Sequence, residues 1–179
     1  MTDKMSKIPP RYAPMPTPEV PVPAPTSLKL QVLRTEPDAI LPKKALGFAA
    51  CWDLYSCIPA LDQKISYLTI SAQNTKKIPT GIAVRPPKGY FTQICSRSGL
   101  CVGIPPIFVA NAPAIIDPDY TGEIFVPLFN GGFTSTRIHH NQRIAQLLLL
   151  PLPSAELVEV HSLPKTERGD RGFGSTGME

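Results

Sequence analysis

Long apolar runs are missing from this sequence. No stretch of about 18 apolar residues occurs in it, which excludes a helical membrane span, and its first residues lack the apolar core of a secretory signal. Histidine and cysteine are scarce, at three and four. The cysteines fall as Cys51 with Cys57 and Cys95 with Cys101, each pair separated by five residues. Zinc ligand pairs usually have about two to four residues between them, and no histidine is placed to complete such a site. Reduced, mostly buried thiols in an intracellular protein, cytoplasmic or nuclear, are therefore expected. Charge is thin as well: 18% of residues, with Lys+Arg 18 against Asp+Glu 14 for a net +4. That tilt favours anionic ligands but falls short of a nucleic-acid-binding surface. Neither a direct nucleic-acid partner nor a membrane is expected.

Proline, by contrast, is abundant: 22 residues of 179, eight of them within the first 26. Residues 1–27 read as a flexible leader biased to polyproline II, with a possible partner of its own. From Leu28 the texture changes. Leu28, Leu30 and Val32 alternate with Lys29, Gln31 and Leu33, the period of a half-buried strand. Similar pieces occur at Lys64–Ser71, Gly89–Cys95, Ile107–Ala110, Glu123–Phe129, Arg143–Leu150 and Leu157–Val160, separated by Pro- and Gly-rich turns. Proline has no backbone donor and clashes inside helices, so its spacing forbids long helices. With 42% hydrophobic residues a core is within reach, and the expectation is an all-β fold, an antiparallel sandwich, jelly roll or small barrel over residues 28–164. Residues 165–179, rich in glycine, read as a flexible carboxy-terminal arm, either disordered or closing over a ligand.

Five stretches carry more chemistry than turns require. In Ala49-Ala50-Cys51-Trp52-Asp53-Leu54-Tyr55-Ser56, Asp53 is a lone acid among apolar neighbours. A buried carboxylate is costly unless partnered, so Asp53 should meet a metal, a water shell or backbone donors; capping a turn is the plainer role. Ser96-Arg97-Ser98-Gly99-Leu100 combines a guanidinium, a hydroxyl and an accessible glycine amide, the set a phosphate oxygen takes. Ile115-Ile116-Asp117-Pro118-Asp119-Tyr120-Thr121-Gly122-Glu123-Ile124 reads as a β-hairpin whose opening offers backbone groups to a flat base edge, with Tyr120 for a sugar and Asp117 beside it. Gln142-Arg143-Ile144-Ala145-Gln146-Leu147-Leu148 is a buried strand interrupted by Arg143 and Gln146. In the arm, Arg168, Arg171, Ser175 and Thr176 resemble a phosphate nest, with Phe173 as a stacking face.

The order of these five stretches resembles the five-motif pattern of the homotrimeric dUTPases, and the likeness runs from about Leu28 to Gly177. The resemblance implies a jelly-roll-like β-fold, a homotrimer whose sites combine motifs from different subunits, and Mg²⁺-dependent hydrolysis of dUTP to dUMP and pyrophosphate. It implies Asp117 as the general base, and Asp53 holding Mg²⁺ in the outer shell through water. Arg97, Ser98, Gly99 and Gln146 would take the phosphates. Asn111, Ile115 and Phe125 would read uracil, and Tyr120 would pack on the deoxyribose. Arg168, Phe173, Gly174, Ser175 and Thr176 would close as a lid. A signalling protein of this fold and a dCTP deaminase are the alternatives; the intact acid and arm, and the hairpin sequence, favour the hydrolase.

The chain departs from the pattern where it has Cys51 and Ala114 in place of glycine and Asn141-Gln142 in place of Gly-Asp. Were position 114 to need positive φ, alanine there would cost about 1 kcal/mol or more. Gly103, Pro105 and Pro106 should interrupt the short helix that follows the second motif.

Overall fold

The computed structural model describes residues 28–59 and 66–170. In chain order the elements are β1 (Gln31–Arg34), β2 (Trp52–Tyr55), β3 (Tyr67–Ile70), β4 (Thr75–Pro79), β5 (Ile82–Arg85), β6 (Tyr90–Ser96), α1 (Ser98–Cys101), β7 (Ile107–Val109), β8 (Ala114–Ile116), β9 (Phe125–Asn130), β10 (Thr136–His139) and β11 (Arg143–Pro151). The fold is all-β. Every strand pairing is antiparallel, in four small sheets ordered β1-β5, β10-β3, β2-β11-β6-β8 and β4-β9-β7. No helix in the described residues is long and apolar enough to cross a membrane.

Period-two patterning decides which side chains go inside. In β9, Val126, Leu128 and Asn130 point into the core while Phe125, Pro127 and Phe129 face out. Ile78, opposite Val126, completes that layer. Leu54, Ile94 and Leu147 extend the core across the four-stranded sheet, with Leu30 and Val32 half-buried against it. Asn130 is fully buried and fully used: its amide donates to the carbonyls of Ile70 and Thr134, and its carbonyl accepts from Gly132 N–H at 3.0 Å. A buried amide with each group satisfied ties the end of β3 to the β9–β10 loop at little net cost.

Two expected elements do not form. Leu157–Val160 is not a strand; its residues are exposed, Leu157 entirely so, and no other described segment lies alongside to supply a ladder. Alternation alone cannot hold a strand without a neighbour to take its backbone bonds. Nor is Ile115–Ile124 part of a hairpin. β8 pairs with β6, whereas β9 pairs with β4 and β7, so the turn at Asp117–Gly122 carries the chain from one sheet to another.

Ala114 and Asn141-Gln142, two of the departures from the family pattern, have local explanations. Ala114 is not at positive φ; it lies in β8, buried, so the anticipated strain is absent. Asn141 does adopt φ 61, the left-handed conformation that asparagine tolerates better than other non-glycine residues. Its neighbour Gln142 accepts the His139 N–H at 2.9 Å and closes the turn into β11. The helix after Arg97 survives as the single turn α1, which ends before Gly103. All four cysteines are free thiols, though only Cys57 is fully buried, the other three being half-buried.

Candidate functional site

Two groups of polar side chains stand out, each set by strand register. The first surrounds an open cavity of about 370 Å³. Its floor is the outward face of β9, Phe125 and Pro127; Asn111 comes from the loop after β7, Ile115 from β8, and Asp117, Tyr120 and Glu123 from the crossing turn. Tyr120 is held by its own turn: its N–H donates to Asp117 C=O at 3.1 Å and its hydroxyl donates to Glu123 C=O at 2.9 Å. Glu123 in turn accepts the Gly81 N–H at 2.8 Å, which ties the cavity wall to the β4–β5 turn. Five of the residues predicted from sequence, Asn111, Ile115, Asp117, Tyr120 and Phe125, therefore line one cavity. The turn achieves this without the expected hairpin, because β8 and β9 approach the cavity from different sheets.

The second group lies where β2, β11 and β6 run side by side. Register places Asp53 opposite Gln146, and Gln146 opposite Cys95. The Asp53 carboxylate, only 6% exposed, accepts from Arg97 Nε at 3.2 Å and from Arg143 Nη1 at 3.2 Å. Gln146 Nε2 stands 3.5 Å from the same carboxylate. These partners differ from the metal, water or backbone donors anticipated for a lone acid. Two guanidinium groups against one carboxylate leave a surplus of positive charge, suited to an anion. Ser98 and Gly99 sit exposed at the start of α1, directly after Arg97. A Cβ added at Gly99 would meet nothing within 4 Å, so the protein itself does not require glycine there. Burial pushes the Cys51 thiol up from its ordinary range, with Cys95 and Asp53 adding and Lys44 opposing; a thiol kept protonated is a poor nucleophile.

The structure does not bring the two groups together in one chain: Arg97, Ser98, Gly99 and Gln146 are absent from the cavity's lining. Arg168 is exposed in the segment beyond β11, and Phe173, Gly174, Ser175 and Thr176 lie outside the described residues. Sequence reasoning missed Arg143 as an Asp53 partner, although it registered as a polar exception in its strand. It also missed Lys77, Glu123 and Pro127 in the cavity, because no local signal tells which strands flank β9. As for a cation, no group of three or more His, Cys, Asp or Glu able to hold a metal occurs among the described residues.

A family model for dUTPase matches residues 38–177. The chain belongs to the dUTPase family. It is 41% identical over 152 residues to a deoxyuridine 5'-triphosphate nucleotidohydrolase of Anaplasma marginale, covering 84% of this chain and 99% of that one. A second such enzyme, from Desulfotalea psychrophila, is 42% identical over 138 residues, 77% of this chain and 87% of its own. In structure this dUTPase-family chain is similar to the dUTPase of Staphylococcus bacteriophage 80alpha with dUPNHPP, at TM-score 0.73 and 25% identity, covering 83% of this chain and 98% of that one.

Proposed function

We propose that the protein hydrolyses dUTP to dUMP and pyrophosphate, with water attacking the α-phosphorus. The single observation that carries this reading is the cavity that gathers Asn111, Ile115, Asp117, Tyr120 and Phe125 in a chain of this family. Uracil lies on the β9 face, where backbone groups of Ile115 and Phe125 and the Asn111 amide meet its carbonyls and N–H. Cytosine turns an amino donor toward a donor and is rejected, since an unpaired buried polar group costs far more than a lost contact gains. Tyr120 packs on the deoxyribose and leaves no room for a 2′-hydroxyl. Asp117 accepts a proton from the attacking water as general base. Arg97, Ser98, the Gly99 amide and Gln146 hold the phosphates, and the glycine lets an oxygen approach the backbone closely. Residues Arg168, Phe173, Gly174, Ser175 and Thr176 close over the bound nucleotide as a lid.

The separation of the two groups within one chain supports a homotrimer, in which the phosphate-binding group of one subunit completes the cavity of the next. Mg²⁺, when bound, would neutralise charge on the leaving pyrophosphate; Asp53, both of whose carboxylate oxygens already pair with Arg97 and Arg143, would meet it only through the ion's own waters. The activity keeps uracil out of DNA and supplies dUMP.

The test is pyrophosphate release from dUTP, dCTP, dTTP and UTP, each with and without Mg²⁺. Turnover is expected on dUTP with Mg²⁺, at least about a hundredfold above that on the other three, the scale set by a mismatched polar edge or an excluded substituent. Comparable turnover of dCTP or UTP would contradict the assignment of the base and sugar contacts.

A further inference from the structure

Among the described residues Lys77 is the one basic residue in the cavity lining, which otherwise carries two acids, Asp117 and Glu123. It stands on β4 opposite Pro127 of β9, on the face away from the buried Ile78–Val126 pair. The strand order β4-β9-β7 puts β7 on the other side of β9. There Ala110 N–H donates to Pro127 C=O at 2.8 Å, and Asn111 follows. Lys77 and Asn111 therefore flank Pro127 from opposite sides. Among the described residues Lys77 is in neither of the Asp53 ion pairs, which join that acid to Arg97 and Arg143.

We propose that Lys77 is a nucleotide-binding residue whose ammonium pairs with the phosphate nearest the sugar. The inference rests on the reading of the cavity as a deoxyuridine nucleotide site. The edge of uracil that Asn111 reads is remote from the sugar, so the phosphates leave toward the opposite flank, where Lys77 stands. The same phosphate must sit near Asp117, and a carboxylate beside a phosphate is repulsive at short range. A lysine on a flexible stem offsets that repulsion without fixing geometry.

The experiment is titration calorimetry of the full chain with dUPNHPP, dUMP and uncharged deoxyuridine, comparing the unsubstituted protein with Lys77→Met and Lys77→Arg. Methionine keeps the stem's bulk and removes only charge. Lys77→Met is expected to weaken dUPNHPP and dUMP about fivefold, equivalent to roughly 1 kcal/mol, and to leave deoxyuridine unchanged. The deficit should shrink at high salt, as a screened surface charge requires, and Lys77→Arg should restore most of the affinity. Equal weakening of deoxyuridine, or no weakening of either nucleotide, overturns the proposal while leaving the cavity reading intact. Failure of the unsubstituted chain to bind any of the three overturns both.

Discussion

Asp117→Asn lowers dUTP turnover by about 10²–10⁴-fold, the usual contribution of a positioned general base, while dUPNHPP still binds. The substitution keeps the shape of the side chain and removes its ability to take a proton. Asp117 is exposed at the cavity, so the change buries no unpaired group and should shift stability by no more than about 0.5 kcal/mol. Single-turnover pyrophosphate release, read beside equilibrium binding of the analogue, separates the two effects. Retained turnover would remove Asp117 from the base role, and lost binding would make it a structural support of the turn instead.

The second large effect is on folding. Gly81 has φ 64, a conformation costing other residues roughly 1–2 kcal/mol. A Cβ built there would lie 2.8 Å from Ala39 Cβ and from Cys57 Sγ, both in the core. Overpacking of that kind adds about 1–3 kcal/mol, so Gly81→Ala should destabilise by about 3 kcal/mol, a large part of the roughly 5–15 kcal/mol a domain has. Gly81 also accepts the Thr35 N–H at 2.8 Å and donates to Glu123. The damage should therefore reach the cavity wall and weaken nucleotide binding in the fraction that folds. Denaturant melts of the two proteins give the number; a shift below about 1 kcal/mol would mean that the β4–β5 turn relaxes freely.

Much of this was legible in the residues. Strands at β6, β7, β9 and β11 follow from alternation bounded by proline and glycine, because burial of one face is a local property of sequence. The cavity residues were legible as a motif, since Asn111 to Phe125 is a short span of chain. What could not be read was pairing. Ile115 and Phe125 look like arms of one hairpin, yet Ile115 pairs with Gln93 of β6 and Phe125 with Pro79 of β4, in different sheets. Asp53 looked like a lone acid because Arg97 and Arg143 are 44 and 90 residues away in sequence. Lys77 looked like an ordinary surface lysine for the same reason. Leu157–Val160 shows the converse: a strand pattern with no partner in the described chain stays exposed and forms no strand.

Turnover of dUTP in water enriched in oxygen-18, followed by mass spectrometry of both products, tests where the chemistry falls. Attack at the phosphorus next to the sugar forms a bond from solvent oxygen to that atom and breaks its bridge to the pyrophosphate. One heavy oxygen should then appear in dUMP and none in pyrophosphate. Heavy oxygen in the pyrophosphate would put the nucleophile at the wrong phosphorus and contradict the role given to Asp117.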